Sequence, residues 1–401
     1  MIKKDDKVFC MLPWVHMHLW PAGTTYPCCL ADPDLPVGDT QKESLQDIWN
    51  GEKMRQLRLN MLNGDKSPEC RRCYELEENN MHTLRLSSNE NFKHHWDKVM
   101  QTDADGNAGD VSLNYMDIRF SNLCNLKCRS CGPQFSSSWF EDHKATHGDP
   151  GHPKILQVRD EMKSFIDELD PLLESVERVY WAGGEPLITK EHYQILDKWI
   201  EMGKRDVRMD YTTNFTQMFY KRKTAFEYWN SFEHVRVAAS LDANHTRAEY
   251  LRKNMDWAQV IQNRKDMLEQ CPHVYFELTP TVSVYNVLNL PDFHKEWIEE
   301  GLLEPQNIRI NILLDPTYMR LQILPEAEKE VVRKRYNDHL TYLDQFENID
   351  SVKQDYKNIL QYLETDRTKE IPMWRFKTQR LDKLRSEDVF DIFPELGGLR
   401  G

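Results

Sequence analysis

The 401-residue sequence has no apolar run near the ~18 residues that a membrane-spanning helix requires. Its opening, MIKKDDKVFCMLPW, carries lysines but no continuous apolar core followed by a small-residue cleavage site. No secretory signal is therefore expected, and a cytoplasmic location is the default. Positive charge is also in short supply. The formal net charge of −13 argues against a broad grip on nucleic acid, which depends on many Lys and Arg contacts to phosphates. The KRK string at 221–223 reads as a solvated helix face. Cysteine is scarce at nine residues, and most of them fall in short clusters. In a reducing compartment, clustering points to metal rather than to a disulfide framework. Cys271, in EQCPHV, stands alone and reads as a small buried or turn residue.

What is present is a globular composition, 40% apolar and 29% charged, on a chain long enough for one large α/β domain and a smaller one. From 115 onward a short β-branched or aromatic run is repeatedly followed by a helical pattern. The expected strands are YMDIRFSN (115–122), RVYWAGG (178–184), VRMDYTTN (207–214), VRVAASLD (235–242), VYFELTPTVS (274–283) and IRINILL (308–314). ILQVRDEMKSFIDEL, KEHYQILDKWIEMG and MDWAQVIQNRKDMLEQ between them have apolar positions three or four apart. Such alternation argues for parallel strands joined by right-handed crossovers, in an open doubly wound sheet or a partial barrel. Either way, ligands sit at the carboxyl ends of the strands.

The region before 115 is rich in Cys, Met, Trp and His, and one helix is expected over SLQDIWNGEKMRQLRLNML, with Ser44 as N-cap and Gly64 as its stop. DADGNAGD at 103–110 reads as a linker; Ala108 stands where a calcium loop demands glycine, which excludes that ion. After about 316 the chain becomes charged and helical. The expected segments are 1–102, 111–316 and 317–401.

FSNLCNLKCRSCGP places Cys124, Cys128 and Cys131 within eight positions. Thiolates favour zinc and iron-sulfur clusters. Zinc wants four ligands and would need a remote fourth here, whereas three cysteines on a four-iron cluster leave one iron open to another ligand. This loop, with three and then two residues between its cysteines, resembles the signature of the radical S-adenosylmethionine enzymes. It follows the first expected strand, and the second ends in AGGEP, whose Gly183, Gly184, Glu185 and Pro186 match the family's stretch lining the amino end of S-adenosylmethionine. YTTNF, with Asn214, resembles the family's strand ending in Thr-Asn, and SLDA, with Ser240 and Asp242, its Ser-Leu/Ile-Asp motif. YLRKNMDW puts Arg252 where an arginine commonly meets the cofactor's carboxylate. Ser130 departs from the family, many members of which carry an aromatic residue before the third cysteine. The resemblance covers about 115–316 and implies a partial (β/α)6 TIM-like barrel, with a small N-terminal cysteine-rich domain and a C-terminal helical extension beside it.

A second group is formed by Cys10 in FCMLPW, Cys28 and Cys29 in GTTYPCCL, and Cys70 and Cys73 in SPECRRC, ligands suited to zinc or to a four-iron cluster. The surrounding words, CMLPW, Gly23 five positions before Cys28, ESLQDIWNGEKMRQLR and ECRRC, resemble the auxiliary-cluster domains called SPASM or twitch. Those domains usually follow the barrel, whereas here the matching segment precedes it. The glycine spacing favours Cys10, Cys28, Cys70 and Cys73 as ligands, with Cys29 a neighbour.

The resemblance implies S-adenosylmethionine and two 4Fe-4S clusters, one that cleaves the cofactor and one auxiliary. A 5′-deoxyadenosyl radical would take hydrogen from the substrate, and an external one-electron reductant of flavodoxin or ferredoxin type would feed the first cluster. A peptide or protein side chain is the expected substrate. A small-molecule or nucleotide substrate, and a non-catalytic electron-transfer protein, are the alternatives. His16, His18, Glu277 and Asn286 stand near strand ends or in the N-terminal region, and none carries an acid or base assignment.

Overall fold

The computed structural model describes residues 7–400, so the first six residues of the MIKKDD opening lie outside it. The chain forms two compact units, one of Met1–Leu123, Ile155–Asp210 and Ser231–His234, the other of Cys124–Lys154, Tyr211–Asn230 and Val235–Gly401. Both interleave stretches that composition sets apart. The mixed α/β class, with largely parallel strands alternating with helices and a C-terminal helical extension, is as expected. Among the described residues no helix is long and apolar enough to cross a membrane.

In the first unit the strands lie in the order Gly38–Asp39, Thr24–Tyr26, His16–Leu19, Tyr115–Ile118 and Arg178–Trp181. The first three are antiparallel neighbours, and the junctions from His16–Leu19 onward are parallel. Every residue of His16–Leu19 and Tyr115–Ile118 is buried, as in parallel strands covered on both faces. HMHL carries no strand signal, because its histidines read as polar. It nevertheless pairs in register with Tyr115–Ile118, His18 opposite Asp117. The single helix expected over 44–64 is two. Ser44 and Asp47 close a capping box on Leu45–Trp49, and Gly51, with an extended backbone, restarts the chain as Glu52–Asn63. Gly64, left-handed at φ +81°, ends it.

In the second unit His234–Ala239 pairs parallel with Tyr275–Leu278, and the crossover helix between them is Trp257–Gln270, capped by Asp256. The sixth expected strand is reduced to Asn311–Ile312, parallel to Thr281–Val282, and a bridge from Leu278 to Ile308. Pro280 is the reason: lacking an N–H, it breaks the ladder, while its carbonyl still accepts from Asn311 N at 2.9 Å. The extension comprises Glu326–Leu343, Asp350–Leu363, Ile371–Arg385 and Val389–Ile392. Its first two helices bury Val332, Tyr336, Val352, Tyr356 and Ile359, and Trp374 on the third is fully buried.

Candidate active site

The cysteine loop belongs to the second unit, and its backbone is held by the residues that follow it. Ser138 Oγ donates to Cys124 O at 2.7 Å, Ser136 Oγ to Leu126 O at 2.6 Å and Trp139 Nε1 to Cys128 O at 2.6 Å. Lys127–Cys128 pairs antiparallel with Arg252–Lys253, setting Arg252 opposite Cys128. With the backbone satisfied in this way, two thiols receive donors from expected cofactor residues. Arg252 Nη1 lies 3.6 Å from Cys128 Sγ and Asn214 Nδ2 lies 3.9 Å from Cys124 Sγ. Asp242 grips the guanidinium in a fork, Oδ2 to Nε at 2.8 Å and Oδ1 to Nη2 at 3.1 Å, and also accepts from Thr281 N at 2.9 Å. Ser240 donates its backbone N–H to Thr213 O at 2.8 Å. Burial pushes the Cys131 thiol up to about 12, with Cys128 adding to the rise. Burial also raises Cys128, against the pull of Arg252.

Sequence reasoning missed the residues between the cysteines. Arg129 is buried; its Nη2 bonds Asp382, and Glu387 at 2.6 Å, and its guanidinium lies 3.5 Å from the centre of the Tyr250 ring. Lys127 pairs with Asp142 at 2.8 Å, and Arg385 donates to the same carboxylate at 2.9 Å and to Lys127 O at 2.9 Å. Cations on both sides of Cys128 thus fasten the loop to Ile371–Arg385. The available signal was the KCR triplet beside an acidic and basic DKLRSED tail.

GGEP belongs to the first unit. Gly183 and Gly184 have φ of +86° and +52°. A Cβ on Gly183 would stand 2.7 Å from the Arg119 side chain, and one on Gly184 would stand 2.2 Å from Leu123 O. Only glycine allows this approach to the residue preceding Cys124. Glu185 N donates to Leu123 O at 2.7 Å, and Glu185 Oε1 accepts from Leu187 N at 3.1 Å, capping the turn that Pro186 opens.

In the same unit Cys10, Cys28, Cys70 and Cys73 share one electrostatic environment. Burial pushes Cys10 up to about 12 and raises Cys28, Cys70 and Cys73; Cys73 adds to Cys10, Cys29 and then Cys70 and Cys10 add to Cys28, and Cys10 and Cys73 add to Cys70. Four cysteines of this kind are the ligand set that a closed cluster site takes. Cys29 differs: it is exposed, and its strongest charged neighbours are Asp117 and Arg119.

Those two belong to a cross-strand polar ladder. Asp117 lies 2.9 Å from His18 Nδ1 and accepts from Arg119 Nε at 2.8 Å. Although burial opposes it, Arg119 and His18 hold the Asp117 carboxyl below the usual carboxylate range. His16 stacks on Tyr115 at 4.4 Å and bonds its carbonyl, and burial lowers it to about 4. Glu277 pairs with Arg236 at 2.7 Å. Asn286 donates to Asp242 O at 2.8 Å and to Thr281 O at 3.1 Å, bracing the arginine's partner. All four polar residues noted in the sequence are therefore internally partnered.

Residues 10–74 match the family model of SPASM, an iron-sulfur cluster-binding domain, and span all four expected auxiliary ligands. No curated protein has a sequence that matches this one. Among solved structures, native anSMEcpe with bound AdoMet is similar at 18% identity and a TM-score of 0.37, over 59% of this chain and 60% of that one. The same native protein with bound AdoMet and the Cp18Cys peptide gives 16% and 0.37, over 57% and 60%. Streptococcus suis SuiB bound to precursor peptide SuiA gives 16% and 0.37, over 73% and 60%. This chain thus spans about three fifths of the length of these structures, and likeness at such scores bears no functional argument.

Proposed function

We propose that this chain is a radical S-adenosylmethionine enzyme that modifies a peptide or protein side chain. The observation that carries the reading is the pairing of a three-thiol loop with an arginine held in a carboxylate fork beside one of its thiols. Cys124, Cys128 and Cys131 would hold a 4Fe-4S cluster with one open iron. Arg252, fixed by Asp242, presents a permanent planar cation suited to a carboxylate ligand. Asn214 donates toward the first thiol, stabilising charge on sulfur. In this reading Ser240 also contributes to cofactor binding. When bound, the cluster and S-adenosylmethionine supply a 5′-deoxyadenosyl radical able to take hydrogen from an inert C–H bond.

Cys10, Cys28, Cys70 and Cys73 would hold the auxiliary 4Fe-4S cluster, whose closed ligand set suits electron acceptance from substrate. This contrast between an open and a closed site supports a side-chain oxidation over the alternatives of a small-molecule substrate and a non-catalytic electron carrier. The segments 1–102, 111–316 and 317–401 would then be the auxiliary-cluster segment, the barrel and a helical brace. A flavodoxin- or ferredoxin-type donor would supply the electron. The test is anaerobic reconstitution with iron counting. About eight irons per chain support two clusters, whereas about four irons with stoichiometric zinc would remove the auxiliary assignment.

A further inference from the structure

At the amino end of the Arg178–Trp181 strand, opposite the end that carries GGEP, three side chains converge that the proposed chemistry does not use. Glu177 immediately precedes the strand, and its backbone N–H and that of Arg178 donate to Asn114 O at 2.8 and 3.0 Å. Its carboxylate meets two imidazoles, Oε2 at 2.8 Å from His94 Nε2 and Oε1 at 2.6 Å from His95 Nε2. The two rings sit on consecutive residues of the Lys93–His95 turn, their centroids 4.2 Å apart. One ligating atom from each of the three residues lies within 4.8 Å of the other two.

We propose that His94, His95 and Glu177 form a binding site for a divalent transition-metal ion of the zinc type, with water as fourth ligand. Two imidazoles and a carboxylate are the ligand types such an ion takes, with metal–ligand bonds of about 2.0–2.2 Å. Tetrahedral bonds of that length set neighbouring ligand atoms roughly 3.4 Å apart. The imidazoles must therefore open from the carboxylate by about 0.6 Å at His94, whose side chain is half-exposed, and by about 0.8 Å at His95.

The surroundings suit this use. Asn114 Nδ2 donates to Glu177 Oε1 at 3.3 Å, the kind of outer contact that orients a ligating carboxylate. Lys98 is the opposing charge, and its ammonium bonds Ser112 Oγ and Asn114 Oδ1. A bound ion would pin the Lys93–His95 turn to the start of the strand, away from the strand ends where chemistry is expected. The rival is a plain hydrogen-bonded group in which two imidazoles brace a carboxylate.

The test uses the iron-loaded full chain, stripped of loosely held metal and then given zinc in competition with a chromophoric chelator. The expected result is about one zinc per chain, with only nitrogen and oxygen scatterers near ~2.0 Å in its X-ray absorption spectrum. His94→Ala and Glu177→Gln should each weaken zinc binding roughly ten-fold or more, leave iron content and 5′-deoxyadenosine formation unchanged, and abolish a zinc-dependent rise in melting temperature. Absence of retained zinc, equal affinity in both variants, or sulfur scatterers near ~2.3 Å would each overturn the proposal.

Discussion

Arg252 is constrained from both sides, by the Asp242 fork and by the Cys128 thiol. A lysine keeps the charge but loses the planar fork, so Arg252→Lys should retain iron while lowering 5′-deoxyadenosine formation roughly ten-fold or more. Unchanged cleavage would remove Arg252 from the cofactor site. The two adjacent cysteines offer a sharper contrast. Cys28 has Cys29, Cys70 and Cys10 as its charged neighbours, whereas Asp117 and Arg119 outweigh Cys73 at Cys29. Cys28→Ala should therefore lose about four irons per chain and Cys29→Ala none, with iron assay and Mössbauer spectra as the readout. At this scale the sequence was informative where a residue type has one chemical use: thiols at fixed spacing, glycines at a close approach. It was silent on Arg129 and Asp142, because an ion pair between residues far apart in sequence leaves no local pattern.

Among elements, Ile371–Arg385 does more than cover the core. Through Asp382 and Arg385 it holds the residues on both sides of Cys128. Asp382 also accepts from Tyr250 Oη at 2.9 Å and Val389 N at 3.0 Å. Asp382→Ala leaves the buried Arg129 short of a partner, so the variant should lose about 3–5 kcal/mol in denaturant unfolding. A loss below about 1 kcal/mol would show that Glu387 alone suffices. Elements with strong local signals were readable, as with the Ser44 cap and the Gly64 stop. Those decided by a neighbour were not: HMHL becomes a strand because Tyr115–Ile118 lies beside it, and IRINILL is cut short because Pro280 faces it.

For the whole molecule, the cysteine-rich beginning is not a detachable appendage of the first unit. His16–Leu19 lies between Thr24–Tyr26 and Tyr115–Ile118, so removing everything before residue 111 would leave Tyr115–Ile118 with an open, apolar edge. A 111–401 fragment should be aggregated or lack cooperative unfolding by size exclusion and circular dichroism. A monomeric, cooperatively folding fragment would contradict this dependence.

The most direct test of the central claim is 5′-deoxyadenosine formation by the anaerobically reconstituted full chain given reductant and S-adenosylmethionine. The account predicts product with the native chain and none above background when Cys124, Cys128 or Cys131 is replaced by alanine. Undiminished cleavage in any of those three variants would contradict it.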